Sequence, residues 1–165
     1  MLSLIILFYL FLALSIFYPR SHSGFANNID QLNRLLYEPR VDVFDVKGSV
    51  YYYDWKQDSR WGVIILGQLT DDSYQKLITE NSDIDSLNSF DLSSKIADKI
   101  PDDVFKRFKI KRFTQSPIMS EFQFVDESGQ PVTNLQSIHG RMKTAKFEIT
   151  IELNTKIFVM NVWRR

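Results

Sequence analysis

The stretch Trp61–Leu69, WGVIILGQL, is a nearly continuous run of apolar residues in the middle of the chain. A strand with water on one face alternates apolar and polar residues, whereas a strand covered on both faces does not. The run therefore predicts a strand at the centre of a sheet.

Strands are also predicted on the N-terminal side of this run. The segments 41–46 and 49–55 are separated by Lys47-Gly48, which indicates a tight turn, and with 61–69 they form a β-meander. The second segment alternates, and its aromatic face carries Tyr51, Tyr53 and Trp55. Such a face is typical of core or edge packing, and the alternative is a stacking platform for sugar rings or bases.

The last third of the chain is rich in strand patterns, with strands predicted over 108–113, 118–125, 132–138, 146–153 and 157–163. The strand 146–153 alternates most clearly, so we predict that Ile151 is buried and that Thr150 faces water. Short helices are predicted over 23–37, after Thr70 and over 92–99. These patterns predict an α+β domain over 41–165, with a mostly antiparallel sheet and two or three short helices on one face.

The N-terminal stretch 2–18, LSLIILFYLFLALSIFY, contains no charged residue. As a helix it would be about 25 Å long, close to the thickness of a hydrocarbon core. We therefore predict a transmembrane anchor over 1–19, followed by a linker with a short amphipathic helix over 20–40. A cleaved signal peptide and a soluble core helix are the alternatives. Arg20 is the first charged residue after the run, which favours a cytoplasmic domain in a single-pass membrane protein.

Residues that could carry chemistry are few. The absence of cysteine excludes thiol nucleophiles, zinc–thiolate sites and disulfides. The region around Asp83 and Asp85 resembles a calcium loop, but it lacks the central glycine and the terminal glutamate. His139 is a candidate base, yet the sequence contains no G-x-S-x-G motif. We predict no catalytic residue, no metal site and no cofactor, and a non-enzyme rather than an enzyme.

The densest cluster of charge is the run 106–112, KRFKIKR. If 108–113 is a strand, Lys109 and Lys111 share its exposed face. The region 71–103 is acidic, with nine acidic and three basic side chains, so pairing between the two regions is the alternative to ligand binding. The candidate binding residues are Lys106, Arg107, Lys109, Lys111 and Arg112.

Three functions remain open on this sequence. The first is a membrane-anchored interaction or accessory module without catalytic chemistry. The second is a domain that binds an anionic surface, lipid or nucleic acid, through the run 106–112. The third is a small membrane-tethered hydrolase that uses Asp, Ser or His139. The predicted partners are membrane lipid, through residues 2–18, and a protein of unknown identity, whereas nucleic acid is disfavoured.

Overall fold

The computed structural model describes residues 5–7, 9, 20–37, 41, 44–57, 60–142 and 145–164. From residue 20 onward the described chain forms ten strands and four short helices. The strands are β1 Arg20–Ala26, β2 Val50–Gln57, β3 Arg60–Gln68, β4 Ile84–Leu87, β5 Phe90–Ser93, β6 Ile110–Gln115, β7 Met119–Phe124, β8 Leu135–Arg141, β9 Lys146–Glu152 and β10 Ile157–Arg164. The helices are α1 Ile29–Leu35, α2 Asp71–Glu80, α3 Ser94–Ala97 and α4 Asp102–Arg107.

The strands form two antiparallel sheets. The large sheet has seven strands in the order β1-β2-β3-β10-β9-β8-β4, and the small sheet has three in the order β5-β7-β6. Every pairing between these strands is antiparallel. In the large sheet, β3 pairs with β2 on one side and with β10 on the other. The prediction that 61–69 forms a central strand is therefore confirmed.

The large sheet carries a separate hydrophobic core on each of its faces. Side chains of α1 and α2, including Leu32 and Leu77, pack on the first face. The small sheet and α4 cover part of the second face, and Phe122 and Phe105 belong to that core. Strand β3 contributes alternate residues to both cores, which explains why its sequence contains so few polar positions.

The predicted fold class is wrong in two respects. It assumed one sheet with helices on one face, but the chain has two sheets, and short helices pack on both faces of the larger one. It also included a transmembrane helix. Among the described residues no helix is both long and apolar enough to cross a membrane. The finding contradicts the predicted anchor and the predicted single-pass membrane location. Of residues 2–18, only 5–7 and 9 are described, and they are helical; the rest of that prediction lies outside the described residues.

Residues 20–26, predicted as part of a linker and helix, form the edge strand β1. The helix α1 begins only at Ile29, because Asn28 caps it by accepting a hydrogen bond from the backbone N–H of Gln31. Segment 41–46 is described only at 41 and 44–46, where a single bridge joins Val46 to Leu69.

The predicted exposure of Thr150 is also wrong. Ile151 is buried as predicted, but Thr150 is only 3% exposed. On the second face of the large sheet, Thr150 lies between Val159 of β10 and Ser137 of β8. Since Val159 belongs to the core beneath the small sheet, this part of β9 is covered on both faces.

Candidate functional site

The basic run 106–112 does not form one continuous strand face. Helix α4 ends at Arg107, and β6 begins only at Ile110. Between them Lys109 adopts the left-handed conformation, with φ of 52°. The predicted strand over 108–113 is therefore wrong at its start, and Lys109 and Lys111 do not share a strand face. Phe108 and Ile110 interrupt the charges because both are buried in the second core.

Two cations of the run pair with carboxylates. Arg112 Nη1 lies 2.8 Å from Asp98 Oδ1, which belongs to the acidic region 71–103. Lys109 Nζ lies 3.4 Å from Glu127 Oε1, and the two side chains are 40% and 92% exposed. For Arg112 this contact is the predicted alternative to ligand binding, a pairing of the basic run with the acidic region.

The other three cations of the run, Lys106, Arg107 and Lys111, form no salt bridge with the described residues. Arg107 donates a hydrogen bond to Ser49 Oγ at 2.7 Å, and its guanidinium lies 4.5 Å from the ring centre of Phe25. Lys106 and Lys111 are exposed and form no salt bridge with any residue in the described part of the chain. That leaves these two as the predicted binding residues whose charge is not already used in a contact.

Three exposed apolar residues lie next to this run, on the β6–β7 hairpin. Phe113 is 62% exposed, Ile118 is 76% exposed and Met119 is 41% exposed. We call these three residues the apolar tip. Phe113 lies at a bulge, where the register of β6 against β7 shifts between Arg112 and Thr114.

The turn that carries the apolar tip is held by its own hydrogen bonds. Ser116 Oγ accepts from the backbone N–H groups of Ile118 and Met119, at 3.3 and 2.9 Å. The Ser116 backbone N–H donates to the carbonyl oxygen of Met119 at 2.8 Å. Pro117 restricts the backbone of the same turn. Ile118 is therefore displayed on a constrained turn.

Helix α3 anchors this turn to the body of the domain. The Ser94 backbone N–H donates to the carbonyl oxygen of Ile118 at 2.9 Å, and Ser94 Oγ donates to that of Ser116 at 2.7 Å. Ser94 Oγ also lies 3.0 Å from the hydroxyl of Ser120, and both serines are buried. These contacts join the turn that carries the apolar tip to α3.

The two histidines lie in different places. His22 Nε2 donates to the carbonyl oxygen of Leu35 at 2.6 Å, and its ring packs against Tyr37 and Tyr52. His139 borders an open cleft, but among the described residues no serine or carboxylate forms a hydrogen bond with its ring. The nearest serine on its strand, Ser137, is buried and bonds instead to Glu148 at 3.4 Å. No catalytic triad around His139 is therefore formed in the described part of the chain.

The carboxylates with shifted pKa values stabilise turns. Burial raises the pKa of Glu152, but hydrogen bonds from the Thr155 hydroxyl and from the backbone N–H groups of Asn154 and Thr155 outweigh it and lower the pKa below its usual value. The Ser128 hydroxyl and the Gln130 backbone N–H lower the pKa of Asp126 in the same way. Within the described ranges, no group of three or more His, Asp or Glu side chains is arranged to hold a metal ion.

Sequence reasoning missed the apolar tip because it assigned Phe113 and Ile118 to the ends of two regular strands. The indication was the Ser116-Pro117 pair between the two predicted strands, which is typical of a tight turn. Comparison of the chain with protein-family models, with curated proteins and with solved structures finds no match.

Proposed function

We propose that this chain is a non-catalytic protein-interaction module that binds a partner protein through the apolar tip. The observation that supports the proposal is the exposure of Ile118 and Phe113 on a turn fixed by Ser116 and Ser94. Flexible loops lose conformational entropy when they bind, and a turn that is already fixed loses less. A constrained turn that exposes large apolar side chains is thus suited to recognition.

The apolar area of the tip is large enough to contribute substantially to binding. Complete burial of an isoleucine or phenylalanine side chain stabilises a complex by about 1.5–3 kcal/mol each. Ile118 and Phe113 are mostly exposed in the free chain, so a partner that covers both gains most of this free energy. In typical protein interfaces a few well-packed residues carry most of the affinity.

The charges around the tip define the chemistry of the partner. Lys111 precedes Phe113 on β6, and Lys95 follows Ser94, the residue that anchors the turn. Both lysines are exposed and form no salt bridge within the described part of the chain. We therefore propose a partner with an apolar pocket for Ile118 and an acidic rim beside it.

Site-specific photo-cross-linking in the organism that produces the chain tests this proposal. Ile118→benzoylphenylalanine and Phe113→benzoylphenylalanine place the reactive group on the tip. Lys76→benzoylphenylalanine places it on α2, across the large sheet, as a matched exposed control. We expect one identified protein to cross-link from both tip positions and not from position 76.

The identified protein must then bind the purified full-length chain directly. Lys111→Glu should slow association and make it less sensitive to salt, since the rim attraction is electrostatic. Cross-linking from position 76 as strongly as from position 118, or no cross-link from either tip position, would contradict the proposal.

A further inference from the structure

A second exposed surface lies on the second face of the large sheet, in the part that the small sheet does not cover. One cross-strand row of side chains crosses five neighbouring strands there. Trp55 of β2 pairs with Gly62 of β3, which pairs with Trp163 of β10, and the row continues through Lys146 of β9 to Arg141 of β8. At about 4.8 Å between strands, the row is about 19 Å long. We call these five residues the indole stripe.

The glycine in the middle of the stripe makes room for an aromatic ring. A Cβ atom at Gly62 would lie 2.7–2.8 Å from three neighbouring atoms of the Trp55 indole. The ring therefore lies across the glycine, with Trp163 on the next strand beside it. Both tryptophans are partly exposed, so aromatic surface remains available to a ligand.

The other end of the stripe borders an open cleft whose lining contains both charged and apolar residues. The cleft has a volume of about 340 Å³, and its lining includes Asp83, His139, Arg141, Lys146 and Trp163. Arg141 and Lys146 are exposed, and neither forms a salt bridge in the part of the chain that the structure describes. Two free cations thus lie directly beside a tryptophan ring.

A second cross-strand row adds hydrogen-bonding groups next to the stripe. Asn161, Glu148 and His139 pair across β10, β9 and β8 and face the same side of the sheet. All three are partly exposed. An amide, a carboxylate and an imidazole can donate and accept hydrogen bonds in the way that sugar hydroxyl groups require.

We propose that the indole stripe binds an anionic oligosaccharide. Pyranose rings pack their apolar faces on Trp55 and Trp163, and the carboxylate or sulfate groups of the ligand bind Arg141 and Lys146. Asn161 and His139 donate hydrogen bonds to the ring hydroxyls or accept them, and the carboxylates of Glu148 and Asp83 accept hydrogen bonds from them.

The charges favour a glycan over single-stranded nucleic acid. Nucleic-acid binding surfaces depend on a broad positive footprint, and this chain has no net charge. Carboxylates of Asp83 and Glu148 lie beside the two cations, where they would repel a phosphate backbone. The same carboxylates are good acceptors for sugar hydroxyls.

Intrinsic fluorescence of the full-length protein reports binding directly. The chain has three tryptophans, and Trp61 is only 1% exposed, so a ligand changes the emission through Trp55 and Trp163. The probes are tetragalacturonate, which carries carboxylates, a heparin-derived tetrasaccharide, which carries sulfates, and the neutral maltotetraose. A tetranucleotide of deoxythymidine tests nucleic acid.

We expect a saturable change with at least one anionic probe, weaker binding of maltotetraose, and weaker binding of the anionic probe at high salt. Arg141→Gln and Lys146→Gln should each raise the dissociation constant for the anionic probe about tenfold or more. Both side chains are exposed, so these variants should fold. Lys76→Gln, on the opposite face, should bind like wild type.

Trp163→Ala should weaken binding of both the anionic and the neutral sugar, and Trp163→Phe should restore part of it. Three results would overturn the proposal: no saturable binding of either anionic tetrasaccharide, equal affinity of wild type and Lys146→Gln, or tighter binding of the tetranucleotide.

Discussion

Phe122→Ala should be among the most destabilising single substitutions in the second core. The Phe122 side chain is fully buried, its ring centre lies 4.7 Å from that of Phe105 and 5.6 Å from that of Phe90, and Arg112 lies 5.4 Å above it. Truncation of a buried phenylalanine to alanine costs about 3–5 kcal/mol, which includes the cavity left behind. A typical domain is stable by only about 5–15 kcal/mol, so a large fraction of the stability is lost.

Phe113→Ala is the matched control on the same small sheet. Phe113 is 62% exposed, so the same truncation should change the free energy of unfolding by less than about 0.5 kcal/mol. Urea unfolding of the full-length variants, followed by circular dichroism, measures both values. Equal destabilisation by the two variants would refute the separation of a buried core from an exposed apolar tip.

Three further predictions concern the fold. Thr150→Asp should destabilise the chain by several kcal/mol in urea unfolding, because the new carboxylate is buried; tolerance within about 1 kcal/mol would contradict the two-sided burial of β9. Lys109→Gly should stabilise the chain by about 0.5–1 kcal/mol, because glycine adopts a φ of 52° without strain and the exposed pair with Glu127 contributes little; a loss of stability would contradict that turn. Glu152→Gln should destabilise the chain by about 1–2 kcal/mol at pH 7, because it weakens the charge-assisted bonds to the turn at Thr155. The pKa of Glu152 is lower in the folded state than in the unfolded state. Its contribution to the free energy of unfolding is therefore fully present above the unfolded-state pKa of about 4.3, and it is lost as the pH falls through the folded-state pKa. If the wild type remained more stable than Glu152→Gln in stronger acid, this assignment would be contradicted.

The central strand could be predicted from the sequence because a strand that is buried on both faces has an almost uninterrupted run of apolar residues. Every residue of β3 that faces a core must be apolar, and Val63, Ile64, Ile65 and Leu66 follow one another without interruption. The burial of Thr150 could not be predicted in this way. Its face is covered by the small sheet, whose position depends on contacts between distant segments, and a small hydroxyl side chain is compatible with either environment.

The fate of the basic run was ambiguous for a different reason. The alternation in 108–112 fits a strand. The residues before it, however, form the last turn of α4, and Lys109 in its left-handed conformation connects that helix to β6. Glycine or asparagine usually occupies such a position, so a lysine gives no local indication of the turn. In the N-terminal stretch the local pattern was clear but the prediction from it was wrong. The length of the apolar run predicted an anchor, and the described residues contain no helix that could span a membrane.

The indole stripe could be predicted only in part. The aromatic pattern of β2 predicted core or edge packing, with a stacking surface as the alternative. Tyr51 is buried in the second core, whereas Trp55 on the same strand face belongs to the indole stripe. Trp163, Lys146 and Arg141 come from strands that are distant in sequence, and only the register of the large sheet aligns them. Pairing between distant strands is set by the whole fold rather than by local pattern.

The affinity of the cross-linked partner for Ile118→Ser tests the central claim most directly. Isothermal titration with the full-length chain should give a dissociation constant at least about tenfold higher than that of wild type, a loss of about 1.4 kcal/mol, because an apolar anchor is removed from its pocket. Urea unfolding of the same variant should be nearly unchanged, since the side chain is 76% exposed. Equal dissociation constants for wild type and Ile118→Ser would contradict the assignment of the apolar tip as the partner-binding surface.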